Sequence, residues 1–253
     1  MSLEHEQNYP GILDLIGNTP LVELKNISPN RGVRIFAKLE GQNPTGSLKD
    51  RIAKNMIEQA EKRGDIEQGF TLLEPTSGNT GISLAFVGRQ KGYKVTVVMP
   101  DNVSQERSQL LTAYGAKIIY SEGKLGSNGA VAMAHRIMEE SPIGRYSMLY
   151  QYGNEDNPGA HYKETGAEII RDLPDAAVFI AGLGTGGTLT GTGRRLKEHN
   201  PDIKVVAVAP EPDETIQGLR DLDEGFVPPI LDMSLLDSRV MAKGIDAFRG
   251  TQQ

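Results

Sequence analysis

Residues 71–100 read TLLEPTSGNTGISLAFVGRQKGYKVTVVMP, and this stretch decides the fold class. Thr71–Glu74 and Lys94–Met99 are short β-branched and aliphatic runs, the pattern of strands buried on both faces. Between them Gly81–Lys91 carries a helical apolar pattern. A strand, a helix and a second strand of this length form a βαβ unit, whose strands lie parallel. Working outward, the alternation continues. Lys117–Tyr120, Ser147–Tyr150, Val178–Ala181 and Lys204–Ala209 read as strands. Gln105–Tyr114, Ser127–Glu140, His161–Asp172 and Thr188–His199 read as helices. The expectation is an α/β protein with largely parallel sheets and helices on both faces, in two doubly wound domains. Upstream, Leu21–Leu24 and Val33–Leu39 read as a strand pair, followed by a helix over Leu48–Arg63 with Ser47 as its N-cap. The Gly/Asn/Pro cluster at Asn154–Ala160 reads as the joint between the two α/β units.

Composition narrows the function classes. The 253 residues are enough for one large or two small domains, and a formal net charge of −6 does not suit a general nucleic-acid binder. With no cysteine, disulfides, thiolate nucleophiles and Cys-based zinc sites are excluded. His5, His135, His161 and His199 lack metal-ligand spacing and read as structural or solvated, so no metal site is expected. The opening MSLEHEQNYP has no signal-peptide pattern, and no apolar run approaches the ~18 residues of a membrane span. A soluble cytoplasmic protein is expected.

Three segments carry chemistry. In Asn43-Pro-Thr-Gly-Ser-Leu-Lys49-Asp-Arg51, the lysine is an ordinary solvated side chain unless it points into a cleft. Burial there lowers its pKa and makes the amine a better nucleophile toward an aldehyde. In Glu74-Pro-Thr-Ser-Gly-Asn-Thr-Gly81, small residues and a helix start suit a carboxylate or phosphate. Thr76, Ser77 and Thr80 add hydroxyls there, Asn79 an amide and Gly78 room; four polar positions around one glycine exceed what capping needs. In Ala181-Gly-Leu-Gly-Thr-Gly-Gly-Thr188, backbone amides can wrap a phosphate, with Thr185 and Thr188 adding hydroxyls. Gly182, Gly184 and Gly187 also spell the dinucleotide-binding pattern G-x-G-x-x-G, and Glu211 follows the next strand as a ribose-binding acid would. That rival leaves the other two segments unused. A monophosphate, a carboxylate and a reactive amine together describe pyridoxal phosphate with an amino-acid substrate.

From Ile16-Gly-Asn-Thr-Pro-Leu21 to Asp237 the chain resembles the fold-type II (tryptophan synthase β-like) pyridoxal-phosphate enzymes, and within them the cysteine synthases. The resemblance implies that Lys49 holds the cofactor as a Schiff base and acts as general base. It implies that Thr76, Ser77, Gly78, Asn79 and Thr80 form the substrate-carboxylate loop, with Asn79 also facing the cofactor and Gln151 assisting. Gly184, Thr185, Gly186, Gly187 and Thr188 become the phosphate cradle. Implied domains are an N-terminal segment 1–46 whose strands cross to the larger domain, a smaller mobile domain 47–152 and a larger domain 153–253. The implied reaction is β-replacement on an activated serine, through an α-aminoacrylate, with sulfide, thiosulfate or a sulfur-carrier protein as donor, in a homodimer. Gln217-Gly-Leu-Arg-Asp-Leu-Asp-Glu-Gly-Phe-Val-Pro228 is similar to the O-phosphoserine sulfhydrylase (cysteine synthase B) branch. O-phosphoserine is therefore favoured over O-acetylserine, with Arg220 as the cation for the leaving phosphate, against a solvated arginine beside Asp221, Asp223 and Glu224. Cystathionine β-synthase-type or dehydratase chemistry and an inactive or regulatory homologue are the alternatives on this fold. The family pattern continues beyond Gln253, so a C-terminal segment is expected to be lacking, with apolar surface left uncovered.

Overall fold

The structure is a computed structural model and describes residues 9–76, 78–212, 214, 216–223 and 225–252. Two parallel sheets dominate it. The first has the order β5–β4–β3–β6, from β3 (Thr71–Pro75), β4 (Lys94–Pro100), β5 (Lys117–Ser121) and β6 (Tyr146–Met148). The second has the order β7–β8–β9, from β7 (Val178–Gly182), β8 (Lys204–Pro210) and β9 (Ser238–Ala242). Upstream, β1 (Leu21–Glu23) and β2 (Phe36–Lys38) form an antiparallel pair of their own. Lys38 forms an ion pair with Glu168, which ties that pair to the second half of the chain.

The first sheet is covered on both faces and the second on one, with side chains alternating between faces at the strand period of two. On one face of the first, Leu72, Val95, Val97 and Met99 pack with Ile52, Met56, Ile57 and Leu84. These come from α1 (Lys49–Arg63) and α2 (Asn79–Gln90). On the other face Leu73 and Val98 pack against Ala130 and Ala134 of α4 (Gly126–Glu140). The remaining helix of this layer is α3 (Gln105–Ala113). The second sheet buries Val205, Ala207 and Ala209 against Leu183 and against Leu189 of α7 (Gly187–His199). Its opposite face carries Val178, Ile180 and Val240, each at least half exposed.

Helix α1 forms because Ile52, Ala53, Met56, Ile57 and Ala60 recur at helical spacing and are all buried. Gly64, at φ +75°, ends it in the left-handed conformation that glycine adopts without penalty. Ser47 does accept the Lys49 N–H (3.1 Å), although the helical backbone already includes Leu48.

Two expectations need correction. The cluster at Asn154–Ala160 lies in sequence between the two sheets, but most of it is helical. Residues Asp156–Ala160 form α5, which runs through a π turn (His161–Thr165) into α6 (Gly166–Asp172). The helix expected over His161–Asp172 therefore starts five residues early. Its turn-like residues are helix-start residues: Asn154 Oδ1 caps the Asp156 N–H (2.9 Å), and Pro158 sits in the first turn, where its missing N–H costs nothing. The second correction concerns the expected strand Val33–Leu39, which is regular only over Phe36–Lys38, with single backbone hydrogen bonds on either side from Leu24 N–H to Ile35 (2.8 Å) and from Leu39 N–H to Pro20 (2.9 Å). The chain closes with α8 (Gly244–Thr251).

Candidate active site

The carboxyl ends of the two sheets face a cleft of about 720 Å³. Lys49, Thr76, Gly78, Asn79, Thr80, Gln151, Gly184, Thr185, Gly186, Thr188 and Arg220 all line it. Residues 171 positions apart in the sequence, from Lys49 to Arg220, thus share one space. Gly187 lies just behind the surface, and its N–H reaches Thr185 Oγ1 (3.3 Å). Ser77 lies outside the described residues.

Lys49 is the first residue of α1, half-buried at the cleft wall. Among the described residues no carboxylate pairs with it. Loss of water pushes its pKa down from 10.5 to about 8, against the opposing pull of the Glu40 carboxylate. The turn that carries it is fixed on two sides. Asp50 accepts the Thr45 N–H (2.8 Å). Arg51, fully buried, reaches Glu40 (2.7 and 2.8 Å), Glu168 (2.6 and 2.9 Å) and Glu164 (3.3 Å). One basic side chain of the turn is fully paired, and the other is left to the cleft.

Two strand–turn–helix crossings supply the rest. After β3, Thr76 Oγ1 accepts the Gly78 N–H (3.3 Å), and Thr80 Oγ1 donates to Gln151 Oε1 (2.6 Å). After β7, Gly186 takes φ +86°, and Thr185 Oγ1 accepts from Asn157 Nδ2 (3.2 Å). Neither N-cap residue, Gly78 of α2 nor Gly186 of α7, offers a side chain, and although Thr185 Oγ1 takes the Gly187 N–H, the N–H groups of Asn79 and Thr80 and of Thr188 remain for a ligand. A Cβ on Gly184 would stand 2.6 Å from the Gly218 carbonyl oxygen, and one on Gly187 would run into Asn157 Oδ1. The cradle therefore has its present shape only with glycine at both positions.

Two neighbours were not legible beforehand. His161, read from sequence as structural or solvated, is buried and reaches Thr188 Oγ1 through Nε2 (3.2 Å) and Thr165 Oγ1 through Nδ1 (3.0 Å). Burial and the charges of Lys49 and Arg51 push its pKa down to about 3, so it sits by the cradle as a neutral imidazole. Asn157 is the other, linking the Gln151 carbonyl (2.8 Å) to Thr185. Neither has a sequence signal beyond a polar residue on a buried helix face.

Arg220 lines the cleft beside two aromatic rings. Its guanidinium stacks on Phe226 (4.8 Å) and Tyr152 (5.4 Å), and Nη2 lies 3.4 Å from Ser127 Oγ. Asp223 pairs with Arg239 instead (3.0 Å), and Glu224 lies outside the described residues. No ion pair engages Arg220 among the described residues.

A phosphate cradle of backbone amides, an unpaired amine of lowered pKa and a polar turn across the cleft fit pyridoxal phosphate. The cleft volume lies within the about 300–1,000 Å³ typical of small-molecule sites. Residues 12–245 match the family model described as pyridoxal-phosphate dependent enzyme. The chain belongs to that family. Its fold is fold-type II, its cofactor is pyridoxal phosphate, and the dinucleotide alternative at Gly182, Gly184 and Gly187 falls away. Cysteine synthase B of Pseudomonas aeruginosa is 44% identical over 230 residues, 90% of this chain and 76% of that protein. The structure resembles a hydrogen sulfide-producing enzyme from Fusobacterium nucleatum with a TM-score of 0.88 at 41% identity, covering 95% of this chain and 82% of that one. It also resembles a cysteine synthase from Entamoeba histolytica with a TM-score of 0.89 at 37% identity, covering 98% and 77%. Among the described residues no helix is long and apolar enough to cross a membrane, and no acidic or histidine cluster has metal-site geometry.

Proposed function

We propose that this chain makes L-cysteine by β-replacement on an activated serine, with Lys49 as the residue that holds the cofactor and moves the proton. The observation that carries the reading is the placement of an unpaired Lys49, with its pKa lowered to about 8, between a carboxylate-sized polar turn and a glycine cradle. When bound, pyridoxal phosphate supplies an aldehyde for an amine and an electron sink that acidifies the Cα–H of an amino acid.

The chain's own residues then divide the work. The cradle Gly184–Thr188 holds the phosphate through backbone N–H groups at the start of α7, with neutral His161 orienting the Thr188 hydroxyl. The Thr76–Thr80 turn and Gln151 receive the substrate carboxylate, with Asn79 also facing the cofactor. Lys49 Nζ, whose burial favours the free amine over the ammonium compared with an ordinary lysine, takes the α-proton and returns it after the sulfur nucleophile has added. Residues 47–152 act as the smaller domain that closes on carboxylate binding and excludes water, against a larger domain formed by 153–253. The working unit in this reading is a cytoplasmic homodimer using sulfide, thiosulfate or a sulfur-carrier protein as donor.

O-phosphoserine is the favoured substrate. Arg220 supports this: a half-buried arginine whose guanidinium packs against two aromatic rings at the cleft, with no carboxylate paired to it among the described residues, suits a phosphate leaving group. One experiment tests both levels. The visible spectrum of the cofactor-loaded protein is followed during addition of O-phosphoserine and, separately, O-acetylserine, with cysteine measured after sulfide. Spectral change and cysteine formation are expected with the native chain, and neither with Lys49→Ala. Arg220→Ala should lower kcat/KM for O-phosphoserine by about ten- to a hundredfold, the worth of a charged hydrogen bond, and for O-acetylserine far less. Equal losses would sink the leaving-group assignment. A chain that stays spectrally silent with both serines would sink the reaction itself.

A further inference from the structure

Glu74 lies on β3 two residues before the Thr76–Thr80 turn and is fully buried. No cation pairs with it among the described residues. Its Oε2 and Oε1 accept the backbone N–H groups of Tyr150 (2.8 Å) and Gln151 (2.9 Å). The reason lies in how the sheet ends. β3 and β6 pair in parallel up to Leu73↔Met148, and the chain then leaves the ladder. Tyr150 takes φ +54°, a left-handed conformation uncommon for a residue with a side chain. Two N–H groups are thereby turned away from any strand partner, and buried N–H groups without acceptors are costly. The Glu74 carboxylate satisfies both at once.

From the backbone held in this way, the Gln151 side chain reaches back to Thr80 Oγ1 (2.6 Å), and its carbonyl accepts from Asn157 Nδ2 (2.8 Å). The same Asn157 amide reaches Thr185 Oγ1 (3.2 Å). Glu74 thus stands at the root of a hydrogen-bonded frame that spans the cleft from one turn to the other. Aspartate would be a methylene short for this double contact. Glutamine, though equal in length, would turn an NH2 group toward one of the two N–H donors.

We propose that Glu74 is a positioning residue: by holding the Tyr150 and Gln151 N–H groups, its carboxylate aims the Gln151 amide at Thr80 and so sets the affinity of the site for the substrate carboxylate. The inference rests on the reading that Thr80 and Gln151 receive that carboxylate. Burial raises the Glu74 pKa to about 7 in spite of its two N–H partners, so the group is held at a cost that a purely apolar side chain would avoid.

The test is a double-mutant cycle on the cofactor-loaded full chain, with Glu74→Gln, Gln151→Ala and the pair, reading KM and kcat for the activated serine. Glu74→Gln is expected to raise KM about tenfold, the worth of one buried hydrogen bond to a charged acceptor, with kcat changed much less. In the Gln151→Ala background the same change should add little, because its target is gone. A merely structural role would lower thermal stability and leave KM alone, and that result overturns the proposal, as do effects that multiply in the double variant. If Gln151→Ala raises KM and Glu74→Gln does not, the carboxylate reading survives and this inference fails. If Gln151→Ala itself leaves KM unchanged, both fall. Should Glu74→Gln not fold, amide hydrogen exchange on the native chain without cofactor decides. Protection of the Tyr150 and Gln151 amides comparable to that of the β3–β4 ladder upholds the Glu74 contact, and exchange as fast as in exposed turns overturns it.

Discussion

The two turns that face each other across the cleft share one plan, a parallel strand, a tight turn and a helix whose N-cap is glycine, yet they are made of different material. The turn after β3 presents side chains: the Thr76 and Thr80 hydroxyls and the Asn79 amide. The turn after β7 presents mainly backbone, with glycine at 184, 186 and 187 and hydroxyls at Thr185 and Thr188. Room for a side chain differs in the same sense. A Cβ at Gly78 would meet nothing within 4 Å, whereas at Gly184 it meets the Gly218 carbonyl oxygen at 2.6 Å. A turn that wraps its ligand with amides must let the backbone approach, and it tolerates no added carbon. A turn that selects its ligand with side chains leaves its backbone slack.

The largest expected effect breaks that contrast directly. Gly184→Ala forces a methyl group against backbone, which cannot rotate away, at a cost of about 1–3 kcal/mol for overpacking. Falling on the cradle, this weakens cofactor affinity by about ten- to a hundredfold, read by titration of the apoprotein followed in the visible spectrum. Gly78→Ala has a φ of −133°, open to any residue, and space for its methyl group. It should bind cofactor as the native chain does and show its effect only in KM for the amino acid. Similar cofactor losses in both variants would mean that the turns are not divided between phosphate and carboxylate.

How much of this could be read from sequence follows the range of the contacts involved. The strand–helix alternation and both turns were legible because their signals are local: β-branched runs, glycine and hydroxyl clusters, a helix start. The helical character of Asn154–Ala160 was lost because an Asn cap and a first-turn proline use the same residues as a loop. Arg51 looked like any helix arginine, since Glu164 and Glu168, two of its carboxylate partners, lie 113 and 117 residues away. Glu74 was masked in the same way, as the last polar residue before a turn; its partners lie 76 and 77 residues on. Local pattern marked the two turns that line the cleft, and tertiary packing alone reveals what holds their side chains in place.

The second prediction concerns the amine between the turns. With burial lowering its pKa to about 8, Lys49 is uncharged in about a tenth of molecules at pH 7, far more than an ordinary lysine of pKa 10.5. The free amine attacks the cofactor aldehyde and the ammonium does not. Capture of pyridoxal phosphate by the apoprotein should therefore slow about tenfold per unit as pH falls below 8, and level off above it. Stopped-flow absorbance over that range measures it. A rate still climbing steeply past pH 9 would place Lys49 in water rather than in the desolvated wall between the two turns.

The smallest effect sharpens the comparison most. Thr80→Val and Thr185→Val are near-isosteric and each removes one hydroxyl, from the first and second turn respectively. Thr80→Val leaves Gln151 Oε1 without its 2.6 Å donor, and Thr185→Val removes the acceptor of the Gly187 N–H and one of the two acceptors of Asn157 Nδ2. At about 1 kcal/mol per hydrogen bond, each should cost roughly five- to tenfold. Thr80→Val is expected to raise KM for the amino acid at unchanged cofactor affinity, and Thr185→Val to weaken the cofactor first. The two turns are nevertheless joined through Gln151, Asn157 and Thr185. Whatever fraction of each loss crosses to the other ligand therefore measures how stiffly that frame connects them. Complete separation would show two independent half-sites, and equal losses in both ligands would show one rigid site read from its two ends.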